Sequence, residues 1–205
     1  MTILLIGVNV FLLMILMTTL LNALTAPMVK NGPPPKSKPL VSLLVPARNE
    51  EHNIDRCLES LLQQDYPHIE ILVLDDFSSD RTAQRVKYWQ ENDERITLLS
   101  GATLPSGWTG KNWACHQLAQ EARGEYLIFT DADNTHSPAA VSKTIGWMQK
   151  LKLSLFSSFP QQITKTMAEK LIVPTFDNTV YSYLVLWFTY LLPFPSMAAG
   201  NGQWL

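Results

Sequence analysis

An apolar run fills the start of this chain. Most residues from Ile3 to Leu24 are Leu, Ile, Val, Met or Phe, and the first charged side chain is Lys30. A run of about 20 apolar residues is long enough to cross a bilayer as a helix. A cleaved secretory signal is the alternative, but it normally has a basic start and a shorter apolar core, and this run has neither. The pattern predicts a transmembrane anchor over residues 1–29.

A proline-rich segment follows the apolar run. Residues 30–39 contain three consecutive prolines with interspersed lysines, a composition typical of a stiff extended linker. The first positive charges all follow the run, and by the positive-inside tendency they place the remainder of the chain in the cytosol. We therefore expect a single-pass membrane protein with its folded part on the cytosolic side.

Short apolar strands alternate with helical periods over residues 40–160. The pattern predicts four strands and a weaker fifth, at Val41–Val45, Ile69–Leu74, Ile96–Leu99, Tyr126–Phe129 and, for the fifth, Leu153–Phe159. Helices are predicted between them at about residues 54–62, 83–90 and 113–122, and another with Ser137 as N-cap and Pro138 in its first turn. Such alternation predicts an α/β domain with a doubly wound, mostly parallel sheet.

The remaining region, residues 161–205, changes character. Asp177 is its last charged residue, and the run Tyr181–Leu192 is aromatic and aliphatic before prolines interrupt it. Twelve such residues are short for a membrane span, while Trp and Tyr are suited to the headgroup region. We interpret the run as an interfacial or re-entrant segment, with a buried core helix or a second span as the alternatives.

Composition narrows the setting. Hydrophobic residues make up 46% of the 205 residues and charged residues only 17%, against about a quarter charged in soluble domains, which again indicates contact with lipid. The net charge of −2 and the absence of a basic block argue against a nucleic acid partner. Cys57 and Cys115 have no metal-ligand spacing, so they are expected to be reduced thiols.

Polar clusters follow three of the predicted strands, at residues 46–50, 75–80 and 131–133. Clusters at the carboxyl ends of parallel strands converge on one crevice. Asp131 and Asp133 would face the same way in an extended segment, and two carboxylates suit Mg²⁺ or Mn²⁺ completed by water and a diphosphate. Neither a dinucleotide fingerprint nor a P-loop follows the first strand, whereas a glycine-flanked loop carries Lys111.

These motifs together resemble the nucleotide-sugar-binding half of the inverting glycosyltransferases of family 2, which have the GT-A fold. The resemblance covers about residues 40–160 and rests on four motifs in the order typical of the family, Val45–Glu51, Val73–Thr82, Gly110–Lys111 and Phe129–Asp133. The stretch Gly107–Ala114 and the membrane anchor further resemble the branch that glycosylates polyisoprenoid-type lipids, including hopanoid-associated and carotenoid glycosyltransferases.

The resemblance implies a role for each matching residue. The expected donor is a UDP-type sugar, the acceptor is a membrane lipid, and a divalent cation, Mg²⁺ or Mn²⁺, bridges the two phosphates. The implied positions are Pro46, Ala47 and Glu50 in the nucleoside pocket, Asp76 on the base, Lys111 on the phosphate or sugar, Asp131 near the sugar and ribose, and Asp133 on the cation with Asp131 beside it.

The general base expected of an inverting enzyme is the point where the chain departs from the family. In the family this base is an acidic residue well downstream of the D-x-D, and residues 200–204 resemble the loop that precedes it. We expect the base to lie beyond Leu205, with Asp177 a weak candidate because it precedes the aromatic run. The chain is therefore expected to be an amino-terminal fragment, or a truncated product that binds donor without transferring sugar.

Two other classes of function remain open on sequence. Residues 129–135 also fit the D-x-D-x-T pattern of haloacid-dehalogenase-type phosphatases, in which Asp131 would be the nucleophile, but the acidic pair expected later in such a chain is missing. The other alternative is a nucleotide-sugar-binding protein without catalysis. The sugar, the acceptor, the choice between Mn²⁺ and Mg²⁺ and the oligomeric state are not determined by the sequence.

Overall fold

The computed structural model of the chain describes residues 1–25, 28–158, 161–184, 186 and 204. The chain divides into two compact units, Met1–Met28 with Pro160–Ala199 and Val29–Phe159 with Gly200–Leu205. The strands and four of the helices belong to the second unit. In chain order its elements are β1 (Val41–Ala47), α2 (Ile54–Leu62), β2 (Ile69–Asp75), α3 (Thr82–Asn92), β3 (Ile96–Ser100), α4 (Gly110–Glu121), β4 (Tyr126–Phe129) and α5 (Ala140–Leu151).

The four strands form one sheet in the order β3-β2-β1-β4, and every pairing is parallel. The predicted parallel, doubly wound α/β architecture is confirmed, as are the first four strands. The strand order reverses direction at β1, because the chain first moves outward to β2 and β3 and then returns to place β4 on the other side. Open α/β sheets bind ligands outside the carboxyl ends of the strands at such a switch point.

Helices cover both faces of the sheet. Leu43 and Val45 of β1 point to the face covered by α2, α3 and α5, whereas Leu44 between them packs with Ala114 and Leu118 of α4. Because alternate residues of a strand face opposite ways, both sets of β1 side chains are buried, which explains its nearly continuous apolar sequence. The sheet therefore holds its carboxyl edge, where the polar clusters begin, in a rigid position.

Two details of the predicted elements are wrong. Residues 153–158 of the expected fifth strand form no strand, because α5 ends at Lys152 in a left-handed conformation (φ 55°) and the chain leaves the helix without pairing to the sheet. Ser137 is not an N-cap: α5 begins at Ala140, and the Ser137 carbonyl accepts hydrogen bonds from the Ala140 amide and from Gln64 in a turn that precedes the helix.

The proline-rich segment packs against α5. A Cβ atom added to Gly146 would lie 1.8 Å from the Pro33 carbonyl oxygen, so the absence of a side chain lets the segment lie directly on the helix. Further along, the Gln149 side chain accepts a hydrogen bond from the Lys36 amide at 2.7 Å and donates one to the Ser37 carbonyl at 3.0 Å. In this structure the segment is part of the folded unit rather than a free spacer.

The first unit contains α1 (Thr2–Thr25) and α6 (Met167–Tyr183). By length and composition α1 is able to cross a membrane, in agreement with the predicted apolar run. The two helices are joined by a hydrogen bond of 2.6 Å from the Asn22 side chain to the Leu184 carbonyl. The first residues of the predicted aromatic run, Tyr181–Tyr183, belong to the end of α6, and most of the run lies outside the described residues.

Candidate functional site

The loops after β1 and β2 are locked to each other by hydrogen bonds. Asn49 has a left-handed backbone (φ 57°), which asparagine tolerates better than most residues. Its amide donates to the Ser78 hydroxyl at 3.0 Å, and its side-chain oxygen accepts from the Ser79 amide at 2.8 Å. The Glu50 amide donates to the buried Thr82 hydroxyl at 2.8 Å. The two loops therefore form one rigid edge above the sheet.

The carboxylates of Asp80 and Glu51 add further hydrogen bonds between the same two loops. Asp80 accepts hydrogen bonds from the Thr82 amide at 2.9 Å and the Glu51 amide at 3.1 Å. Glu51 accepts in turn from the Arg81 amide at 3.1 Å, and this bond, with one from the Arg81 side chain, lowers the pKa of the Glu51 carboxyl. Because these contacts engage Asp80 and Glu51, they explain part of the acidic clustering seen in the sequence.

Asp76 lies beside the start of α4. Its amide donates to the Ala47 carbonyl at 2.9 Å, which ties the end of β2 to the end of β1. Its carboxylate lies 3.6 Å from the Arg48 guanidinium and 3.7 Å from the position of a Cβ on Gly110. The remaining residues predicted for the nucleoside pocket lie at the end of β1 and in the loop after it. Pro46 is half-buried and Ala47 is buried. Glu50 accepts a hydrogen bond from the Asn53 side chain at 2.9 Å.

Lys111 and Asp131 form an ion pair. Lys111 lies in the first turn of α4 and Asp131 directly after β4, and the Lys111 Nζ to Asp131 Oδ1 distance is 2.6 Å. The Lys111 side chain is more exposed, 56% against 23% for Asp131. The sequence pattern singled out both residues, but their pairing follows only from the fold, which places α4 against the switch point.

Three aromatic rings brace the start of α4. The ring of Trp108 lies 5.3 Å from that of Trp113 and 4.9 Å from that of His116, and the Trp113 and His116 rings stack at 5.4 Å. The Trp113 indole also donates to the Ala102 carbonyl at 3.0 Å. Both ends of the loop before α4 are thereby attached to the helix, so the position of Lys111 is held by its surroundings. These contacts were not predicted from the sequence.

Asp131 and Asp133 do not lie in an extended segment, contrary to the sequence prediction. Residues 132–133 form a turn, and the Asn134 amide donates to the Asp131 carbonyl at 3.2 Å. Ala132 is buried within the turn, while Asp133 is exposed. The turn arises because β4 ends at Phe129 and the chain must reverse to reach α5.

A divalent cation fits this pair of carboxylates only with ligands from elsewhere. Within the described part of the chain, no group of three or more His, Cys, Asp or Glu side chains is arranged to hold a metal ion. Among the same residues the Asp133 carboxylate has no hydrogen-bond or ion-pair partner, so it is free to bind a cation. Mg²⁺ and Mn²⁺ accept such sites when water and phosphate oxygens complete their shell.

The thiol of Cys57, which lies next to Asp131, is unreactive at neutral pH. Cys57 is fully buried, and its Sγ atom lies 3.8 Å from the Asp131 carbonyl oxygen. Burial, together with the negative charges of Asp133 and Glu50, raises the pKa of Cys57 to about 12, so the thiol stays protonated at neutral pH. Burial also raises the pKa of Cys115. Both free thiols agree with the predicted reduced state.

His136 and Trp204 pack against each other and contact Thr130, which follows β4. The Trp204 backbone forms an antiparallel bridge with Thr130, its ring lies 4.6 Å from the His136 ring, and its indole nitrogen donates to Thr144 at 3.1 Å. The His136 Nε2 atom lies 3.0 Å from the Thr130 hydroxyl. His136 follows the D-x-D by three residues, but the sequence carries no signal for its contact with a residue so far along the chain.

Acidification is expected to destabilise the fold through His136. Burial lowers the pKa of this residue to about 4 from an ordinary 6.5, so its stabilising effect is fully present above pH 6.5 and is lost as the pH falls towards 4. The loss amounts to about 3 kcal/mol at most. Chemical denaturation between pH 7 and 4 measures it, and His136→Gln should flatten the profile. The exposed residue His68, changed to Gln, is the control; an equally steep profile in His136→Gln contradicts this prediction.

Comparison with known proteins extends these observations. The sequence profile of glycosyl transferase family 2 matches residues 42–183. The 4,4'-diaponeurosporenoate glycosyltransferase of Staphylococcus haemolyticus is 34% identical over 113 residues, which are 53% of this chain and 29% of the relative. The UDP-Glc:alpha-D-GlcNAc-diphosphoundecaprenol beta-1,3-glucosyltransferase WfgD of Escherichia coli is 30% identical over 66% of this chain and 51% of the relative.

Solved structures show the same fold. The mannosyltransferase PcManGT of Pyrobaculum calidifontis, in complex with GDP-Man and Mn²⁺, has a TM-score of 0.54 and 27% identity, covering 69% of this chain and 41% of that one. The chain thus spans about half or less of the length of these relatives. The profile covers most of the sheet and all the polar clusters at its carboxyl edge. By profile, sheet topology and structural likeness, the chain belongs to glycosyl transferase family 2.

Proposed function

We propose that this chain is the donor-binding part of an inverting glycosyltransferase that moves a sugar from a UDP-type nucleotide sugar to a hydroxyl or carboxyl group of a membrane lipid. The observation that carries the proposal is the convergence of Lys111 and Asp131 beside the unpartnered, exposed Asp133 at the switch point of the sheet. A cation and an anion-binding lysine at one place are the groups that a diphosphate requires.

The proposed contacts combine the resemblance to family 2 with the position of each residue in the structure. Asp76, fixed between Ala47 and the start of α4, accepts a hydrogen bond from the base, with Pro46 and Glu50 as further parts of the nucleoside pocket. Lys111 binds a phosphate or sugar oxygen. Asp131 lies near the sugar and ribose, and together with Asp133 it holds Mg²⁺ or Mn²⁺ against the two phosphates.

The chemistry needs stabilisation of the leaving group. Breaking a glycosyl-phosphate bond builds negative charge on the departing diphosphate, and a bound divalent cation supplies charge where it develops. Lys111 adds a second positive charge at the same place, because its Nζ already contacts an oxygen of Asp131. Donor binding would exchange this internal ion pair for a phosphate contact.

Inversion needs one general base to take a proton from the acceptor. We place this base beyond Leu205 rather than at Asp177, and we propose that residues 1–29 anchor the chain, residues 40–160 bind the donor and residues 161–205 begin the acceptor-side region. A membrane-lipid acceptor is supported by the apolar helix α1 and by the diphosphoundecaprenol in the name of the Escherichia coli relative. A cytosolic donor domain is supported by Lys30, Lys36 and Lys38, the first charged residues, which all follow the apolar run.

The rival functions have less support. A haloacid-dehalogenase-type phosphatase normally carries this motif after its first strand and an acidic pair later in the chain, whereas here the motif follows β4 and the acidic pair Asp75-Asp76 lies earlier, at the end of β2. A nucleotide-sugar-binding protein without catalysis would share the whole donor site. Binding measurements on this chain cannot tell it from an enzyme, but sugar transfer to lipid by the longer protein can.

Calorimetric titration of UDP and UDP-glucose into the purified chain in detergent tests the donor site. We expect binding in the presence of Mn²⁺ and a large loss of affinity in EDTA, because the two carboxylates repel the diphosphate unless a cation lies between them. GDP serves as the matched control for base preference and should bind more weakly. A folded chain that binds neither nucleotide with Mn²⁺ would overturn the proposed donor site.

A further inference from the structure

Phe77 has an unusual backbone conformation. Its φ angle is 56°, in the left-handed region that bulky side chains avoid, and its side chain is 59% exposed. A left-handed conformation costs a non-glycine residue free energy, and an exposed aromatic ring gains little from burial. Such an outlier in a loop that hydrogen bonds hold on both sides points to a role other than folding.

The loop around Phe77 is held without its ring. The Asp76 amide is bonded to the Ala47 carbonyl at 2.9 Å, and the Ser78 hydroxyl accepts from the Asn49 amide at 3.0 Å. Phe77 belongs to neither cluster of buried hydrophobic residues and is not among the aromatic ring pairs of the described residues. The contacts on either side hold the loop, and the ring, which is 59% exposed, buries less than half of its surface to offset the strain.

The position of Phe77 points to the part of a ligand that its ring would contact. It directly follows Asp76, the residue proposed to accept a hydrogen bond from the base, and it lies at the carboxyl edge of the sheet. The Arg48 guanidinium, 3.6 Å from the Asp76 carboxylate, is already engaged at this edge. A planar base held at its edge by a carboxylate offers its faces for stacking, and aromatic rings stack on any base.

We propose that Phe77 forms one wall of the nucleobase site and stacks on the base of the donor. This inference rests on the proposed function, and it adds a residue that binds the base by its face, where Asp76 binds the edge. The ring is exposed at the carboxyl edge of the sheet despite the strained backbone, and binding of the ring to the base would explain why the strain is retained.

The test compares two ligands in the full chain with Mn²⁺. We expect Phe77→Gly to weaken UDP binding by about 5- to 100-fold, the usual effect of losing one stacked base, and to leave binding of inorganic pyrophosphate unchanged, because pyrophosphate has no base. Thermal unfolding should occur at an unchanged or higher temperature, since glycine adopts the left-handed conformation without strain. Phe77→Trp should retain UDP affinity.

Two results would overturn the stacking role. The first is UDP affinity unchanged in Phe77→Gly, and the second is an equal loss of UDP and pyrophosphate binding, which would mean a disturbed loop. Tyr88→Ala, which removes another exposed ring, 65% exposed on α3, is the control and should change neither affinity. Failure of the proposed function is a different result, because the unaltered chain would then bind neither UDP nor pyrophosphate with Mn²⁺.

Discussion

Replacing Asp133 by alanine is expected to weaken Mn²⁺-dependent UDP binding by about 100-fold or more. Changes to residues that merely support a metal ligand cost about 10- to 100-fold in metal affinity, and losing one of the two carboxylates proposed to hold the cation should cost at least as much. Asp133 is exposed and without a partner among the described residues, so its removal takes away no contact that holds the fold. The expected loss is therefore in binding and not in stability.

Titration calorimetry with and without Mn²⁺, together with thermal unfolding, measures both quantities. Without metal both chains should bind UDP weakly, and the variant no more weakly than the unaltered chain, because it has lost one of the two carboxylates that repel the diphosphate. Glu91→Gln, which removes an exposed carboxylate near the end of α3, is the control for a general change in charge. Full Mn²⁺-dependent affinity in Asp133→Ala would show that the cation is bound elsewhere or is not needed.

Gly124→Ala is expected to cost about 2–4 kcal/mol of unfolding free energy. A Cβ atom on this residue would lie 2.6 Å from both the amide nitrogen and the hydroxyl of Ser42 and 2.9 Å from the Tyr126 carbonyl. Two of these three atoms are backbone, which cannot rotate away. The substitution must therefore push apart the start of β4 and the neighbouring β1.

The same site holds a buried polar network, which adds to the cost. The Ser42 hydroxyl accepts from the Gly124 amide at 2.8 Å and donates to Glu70 at 2.6 Å, and Arg123 pairs with the other Glu70 oxygen at 2.7 Å. Burial raises the pKa of Glu70, but the hydrogen bonds from Ser42 and Arg123 outweigh it and leave the pKa below its ordinary value. A shift of Gly124 would leave buried groups of this network unsatisfied.

Denaturant unfolding followed by tryptophan fluorescence measures the effect. Gly110→Ala is the matched control, because the added Cβ would meet only the Asp76 carboxylate, at an ordinary 3.7 Å, and alanine favours a helix. That variant should be as stable as the unaltered chain. A midpoint for Gly124→Ala equal to that of the control would mean that the strands yield easily at this point.

Sequence periodicity alone located the elements that are most buried. The bounds of β4 were predicted without error, and β1, β2 and β3 are longer than predicted by only one or two residues, because uninterrupted apolar runs bounded by polar residues have few other solutions in an α/β domain. The expected fifth strand was wrong because an apolar run alone does not specify a pairing partner. Its apolar residues are compatible with a strand, but pairing depends on a free sheet edge in reach, which a local pattern does not contain.

For the candidate site too, the sequence indicated the residues but predicted one part of their geometry wrongly. Motif order identified Asp76, Lys111, Asp131 and Asp133, since carboxylates and a lysine at strand ends and a helix start are visible in one dimension. The extended geometry expected for residues 131–133 was wrong, because a short local pattern does not reveal the turn that takes the chain to α5.

The sequence by itself therefore determined the class of fold, the apolar helix α1 and the residue types at the proposed donor site, because each depends on local periodicity or on motif spacing. Only the tertiary structure decided that Lys111 pairs with Asp131, that the loops after β1 and β2 are joined through Asn49 and that Trp204 packs on His136. These contacts join residues that are distant along the chain. Their partners are selected by how the helices pack on the sheet, which no local pattern encodes.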